Sequence, residues 1–96
     1  FTQLTKTIEV KWDFRINNTE NLYLELFNKN SKGGKGWWKF CQADYVAYGD
    51  ALARVFYVVP LAELKARVEK VKPPIGECYG DSFGYLMPID SIEDLI

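Results

Sequence analysis

Residues 7–14 alternate strictly between polar and apolar: Thr7, Glu9, Lys11 and Asp13 fall on one side, Ile8, Val10, Trp12 and Phe14 on the other. A period of two is the pleat of a β-strand, because successive side chains leave opposite faces. The pattern predicts a strand whose apolar set anchors in a core and whose charged set shares the other face. Residues 15–21 are polar, with Asn17, Asn18 and Asn21 suited to turns, and residues 22–27 read as a second strand. Together they predict a hairpin with a long connection.

Residues 28–36 combine lysines, glycines and a serine, the composition of a mobile surface loop. In residues 37–49, Trp38, Cys41, Tyr45 and Tyr48 recur at roughly helical spacing, which predicts a short helix, while the tail around Tyr45 to Tyr48 fits extended chain equally well. The continuous apolar run 55–59 predicts a central strand buried on both faces. Leu61, Leu64, Val68 and Val71 then trace one face of an amphipathic helix that must stop before Pro73 and Pro74. A turn-rich link over 75–82 leads to a last strand over 83–89, and Ser91 reads as the N-cap of a short terminal helix with Glu93 and Asp94 in its first turn. The order β-β-α-β-α-β-α implies an α/β fold, a mixed sheet flanked by helices, formed by 1–96 as a single domain.

Composition removes several function classes. With 96 residues, 48% of them hydrophobic, the chain has room for one core. It contains no histidine, which excludes a His-based triad, a His-ligated metal and an imidazole base within the chain. Cys41 and Cys78 stand far apart without a nearby second cysteine, so a zinc site is not expected; they read as buried, inert thiols in a reduced intracellular setting. A net charge of −1 means that attraction to nucleic acid must come from a local basic patch. No run is long enough for a membrane span, and the first residues lack a signal-peptide pattern. The chain opens on Phe1 with a strand close behind, which suggests that an N-terminal part of the domain precedes it.

The charged face of the first strand is where chemistry could reside. Glu9 and Lys11 project from one face; a carboxylate with the Val10 carbonyl can ligate a hard cation such as Mg²⁺, and an adjacent lysine can orient water and stabilise charge building on a phosphate. The same pair also fits a plain cross-strand surface contact. Asp13 shares this face, and Glu25 joins it if Lys11 lies opposite in the hairpin, whereas a slip of one residue sends Glu25 to the other face. Lys29, Lys32, Lys35 and Lys39 are interleaved with Gly33, Gly34 and Gly36 and followed by Trp37 and Trp38, a pattern suited to phosphate contacts and base stacking and equally to a solvated loop with Trp38 folded into the core. The run lacks the pattern of a phosphate-cradling P-loop. Asp44 fits capping or pairing better than ligation, and Tyr45 and Tyr48 fit core positions with a hydroxyl at the edge.

The succession of Ile8-Glu9-Val10-Lys11, Thr19-Glu20-Asn21 leading to Glu25, a glycine-lysine loop and Ala43-Asp44-Tyr45 resembles the small PD-(D/E)XK nucleases of bacteriophages over residues 7–60. The resemblance implies a restriction-endonuclease-like core, Glu9 as the metal-binding acid and Lys11 as the catalytic lysine, with Mg²⁺ or Mn²⁺ as cofactor and DNA as substrate. Glu20 stands where the group has glycine, and the aspartate that normally precedes the acidic-x-lysine strand has no counterpart before Ile8.

On this reading the chain is a metal-dependent deoxyribonuclease of the host-cell cytoplasm or the virion, with a homodimer or a phage protein as further partner. In it Asp13 and Glu25 are additional acids, and Lys29, Lys32, Lys35, Trp37 and Lys39 contact nucleic acid. The alternatives are a catalytically inactive nucleic-acid-binding or virion-assembly module and a protein-interaction domain built on the aromatics around Trp37.

Overall fold

The computed structural model of the chain describes residues 5–13, 19–78 and 80–96, with the side chain of Lys32 outside that set. The expected strand residue Phe14 and most of the polar stretch 15–21 lie outside the described residues. The observed order is β1 (Ile8–Asp13), β2 (Asn21–Asn28), β3 (Tyr45–Asp50), β4 (Val55–Pro60), α1 (Leu61–Val71), β5 (Ile75–Cys78) and β6 (Ser82–Pro88), with short 3-10 turns at Lys32–Gly34, Ile89–Ser91 and Glu93–Leu95. The strands form two three-stranded sheets, β1-β3-β4 and β2-β6-β5.

This corrects the expected α/β layout of one mixed sheet flanked by several helices: the fold is mostly β, and α1 is the one α-helix among the described residues. The predicted hairpin does not form. β1 pairs in parallel with β3, Ile8 beside Tyr45 through Asp13 beside Asp50, while β2 pairs antiparallel with β6. A parallel pair needs a long crossover, which residues 14–44 supply, and the β2–β6 pairing sets Leu22 against Met87, both fully buried. The helix expected within 37–49 is instead irregular chain leading into β3, because the spacing from Trp38 to Tyr48 spans a loop and a strand. The terminal helix is replaced by 3-10 turns, and the link over 75–82 contains β5, joined to β6 by a turn through Gly80 at φ 74°.

α1 lies where periodicity places it, and β6 where the apolar run after the turn-rich link places the last strand. α1 turns Leu61, Leu64 and Val68 inward and ends at Lys72, whose left-handed backbone lets its N–H reach the Val68 carbonyl before the prolines. These side chains meet Leu22, Leu24, Trp38, Val46, Tyr48, Val59, Met87 and Ile92 in one core, each large apolar side chain contributing about 1.5–3 kcal/mol by its burial. None of the described helices is long and apolar enough to cross a membrane.

Two faces are reversed from expectation. On β1 the apolar set lies outward, with Ile8, Val10 and Trp12 exposed by 56, 51 and 58%, while Glu9, Lys11 and Asp13 are half-buried. The charged set tolerates that position because Lys11 and Asp13 have partners on neighbouring elements. β4 is an edge strand and not a central one, so Val55, Phe56 and Val58 remain exposed and only Val59 is buried. Trp12 and Phe56 close over Gly49 of the middle strand, their ring centroids 4.6 Å apart, and a Cβ on Gly49 would lie 2.8 and 2.9 Å from them.

Candidate functional site

The half-buried face of β1 carries Glu9, Lys11 and Asp13 in a row. The Lys11 ammonium is 3.0 Å from the Glu9 carboxylate, the side chains being 30 and 39% exposed. Both therefore keep access to solvent, and an ion pair at such exposure contributes little to stability. The same ammonium stands 5.1 Å from the centre of the Trp37 ring, within cation-π range. Trp37 in turn packs edge-on to Trp38 at 5.7 Å and against Tyr48 at 6.5 Å.

Trp37 belongs to the lysine-glycine loop, which backbone bonds tie to β2. Lys35 bridges to Phe27, the Gly36 N–H reaches the Leu26 carbonyl and the Trp38 N–H reaches the Glu25 carbonyl, so the segment runs along the outer edge of β2. Gly36 is required there, because a Cβ would collide with the Glu25 backbone. Trp38 is 5% exposed, and Lys65 of α1 donates to its carbonyl at 2.8 Å while standing 4.5 Å over its ring. Lys29, Lys35 and Lys39 remain exposed, Lys35 lying 4.8 Å over Phe40.

Asp13, at the far end of β1, is 3.2 Å from the Tyr48 hydroxyl, which also accepts the Tyr23 N–H at 3.2 Å and lies 3.0 Å from the Tyr23 carbonyl. Burial, followed by the nearby Asp13 charge, pushes the Tyr48 phenol far above its ordinary range. Asp13 and Glu25 face a common concavity of about 360 Å³, whose described lining also includes Trp12, Tyr23, Glu77 and Asp81 and no lysine or arginine. Tyr23 shares a 2.6 Å hydrogen bond with Ser82 across its floor, and Asn28 donates to Glu25 at 3.3 Å. Sequence reasoning missed Glu77, Asp81 and the bridging role of Tyr48, since only the β2–β6–β5 pairing and the β1–β3 crossover bring them near Asp13.

The structure thus joins Glu9, Lys11 and Trp37 directly, and Asp13 and Glu25 around the neighbouring concavity. Along an extended strand, Glu9 and Asp13 are separated by roughly 13 Å, too far to share one ion. Asp44 is engaged just before β1: its carboxylate accepts from the Thr7 N–H at 2.9 Å and the Thr7 hydroxyl at 3.2 Å, and the backbone bond holds its carboxyl below the usual range. Cys41 and Cys78 are free thiols, half-buried and not fully so.

The donor set can be tested against the implied cation. Among the described residues no three Asp, Glu or Cys side chains come together as a metal cage. Mg²⁺ needs none, because it commonly keeps several waters and is held by one or two carboxylates together with substrate phosphate. The partly exposed Glu9 meets that requirement. Comparison of the chain with family models, with curated proteins and with solved structures found no match.

Proposed function

We propose that the chain hydrolyses phosphodiester bonds in DNA with the help of Mg²⁺ or Mn²⁺, using Glu9 and Lys11. The observation that carries this reading is the contact between Lys11 and Trp37, which sets the acidic-x-lysine pair of β1 beside the loop bearing Lys29, Lys35 and Lys39. One segment offers a carboxylate and an ammonium to the reacting phosphate; the adjoining one offers exposed cations to the backbone on either side.

Glu9 would hold the ion, which when bound lowers the pKa of a coordinated water and neutralises phosphate charge. Lys11, kept on the same face by its stacking on Trp37, stabilises the charge that builds on the phosphoryl oxygens. Trp37, half-buried beside Lys11, is the aromatic on which an unpaired base would stack. A second reading, binding without hydrolysis, is favoured by the Glu9–Lys11 ion pair itself, in which each charge already satisfies the other.

The test is incubation of the full chain with labelled linear, nicked and branched DNA in Mg²⁺ or Mn²⁺, beside EDTA controls and Lys11→Ala. The proposal expects cleavage that needs metal and is lost in the variant. Absence of cleavage, with a mobility shift that survives EDTA, would replace it with the binding reading.

A further inference from the structure

β1 is an edge strand, and its backbone polarity is fixed by two bonds. The Thr7 carbonyl accepts from the Tyr45 N–H at 3.1 Å and the Asp13 carbonyl from the Ala51 N–H at 2.9 Å. The β1–β3 register is continuous between them, without a bulge. Backbone groups of the odd-numbered residues therefore turn toward β3, and those of Ile8, Val10 and Trp12 turn toward the open edge, where no described strand pairs with them.

Among the described residues that edge carries no proline or bulge. Its inward-facing charges, Glu9 and Lys11, oppose indiscriminate pairing and admit only a strand that sets opposite charges against them. The other edges differ. Residues 35–38 cover the edge of β2, β5 is only 4 residues long, and β4 ends in Pro60 and carries no charge that could set a register.

We infer that β1 pairs antiparallel with β1 of a second copy of this chain, about a two-fold axis at Val10, joining two three-stranded sheets into one. The sequence Ile8-Glu9-Val10-Lys11-Trp12 is self-complementary in this register. Val10 meets Val10, and Ile8 meets Trp12, as hydrogen-bonded pairs that use the outward backbone groups. Glu9 falls opposite Lys11 of the other copy as a non-hydrogen-bonded pair, the kind with the closer side chains. The next register in either direction keeps the backbone bonds but sets Glu9 against Glu9 or Lys11 against Lys11. Charge therefore selects one alignment. The interface is isologous and closes on itself, and it unites the exposed apolar faces of the two β1 strands while leaving the Glu9–Lys11 faces side by side.

Sedimentation equilibrium of the full chain over a wide concentration range tests this without nucleic acid, so its failure is separate from failure of the nuclease reading. Glu9→Lys and Lys11→Glu should each weaken the dimer on the order of tenfold, and the double reversal should restore it. Amide exchange gives a readout independent of mutation. The N–H groups of Ile8, Val10 and Trp12 should become protected as concentration rises, while those of Glu9, Lys11 and Asp13 stay unchanged. A monomer at every concentration, a dimer indifferent to the charge reversals, or concentration-dependent protection confined to other strands would overturn the inference. If a single variant fails to fold by circular dichroism, the wild-type amide pattern decides alone.

Discussion

The hydroxyl of Tyr48, in the middle of β3, accepts the backbone N–H of Tyr23 on β2 at 3.2 Å and so ties one sheet to the other. Tyr48 is 3% exposed, so its phenyl ring supports the core while its oxygen supplies a hydrogen bond that no strand offers to Tyr23. Tyr48→Phe leaves the Tyr23 N–H without that acceptor and should cost about 1–3 kcal/mol in urea unfolding.

The same residue sets an alkaline limit. Tyr48 and Tyr23 both hold their protons more tightly in the fold than at the ordinary value of 10.0, each chiefly because of burial. A raised folded pKa gives stability that is fully present below the unfolded value and lost as pH rises toward the folded one. Wild-type stability should therefore decline above about pH 10. Denaturant midpoints measured across that range should fall more steeply for the wild type than for Tyr48→Phe.

How much of this was legible in the sequence depends on the range of the interaction. α1 was readable because Leu61, Leu64 and Val68 repeat within the element itself, and β6 because turn residues bound its apolar run. β1 was readable as a strand, but which of its faces lay inward was not. Lys11 finds Trp37 and Asp13 finds Tyr48 only after distant segments dock, and those partners draw the charged face inward. The hairpin expectation failed for the same reason: local turn chemistry in residues 15–21 cannot reveal that β3 lies beside β1 and β6 beside β2. Of the candidate site, the Glu9–Lys11 adjacency follows from pleat geometry alone, whereas the shared concavity of Asp13 and Glu25 depends on a tertiary arrangement.

Gly36 offers a way to detach the lysine loop without touching a charge. Gly36→Ala forces a methyl into the Glu25 backbone, which should lift residues 35–38 from the β2 edge and cost about 1–3 kcal/mol in thermal or chemical unfolding. Nucleic-acid affinity, measured by fluorescence anisotropy at a temperature where the variant is folded, should fall with it.

The exposed lysines should announce themselves through salt. If Lys29, Lys35 and Lys39 contact phosphate, replacing each by alanine should lower the slope of log affinity against log salt by about one, with little change in sequence preference. Slopes that do not change would remove the loop from the interface.

At the C-terminus, Arg67 of α1 grips Asp94 through two bonds of 2.8 and 2.7 Å and also donates to the Ser91 carbonyl. The bonds from Arg67 hold the Asp94 carboxyl down at about 2, below its ordinary 3.8. A depressed folded pKa means that the pair's contribution is present above 3.8 and lost as pH falls toward 2. In Arg67→Ala the Asp94 titration, followed by carboxyl carbon chemical shift, should move up toward 3.8.

Whether Glu9 or the neighbouring concavity would hold the divalent ion is decided by titrating the full chain with Mn²⁺ and recording paramagnetic broadening of its amide resonances. Broadening should centre on Glu9, Val10 and Lys11 and disappear in Glu9→Gln. Broadening centred on Asp13, Glu25 and Asp81, or none at Mn²⁺ concentrations that support cleavage, would contradict the proposed role of Glu9.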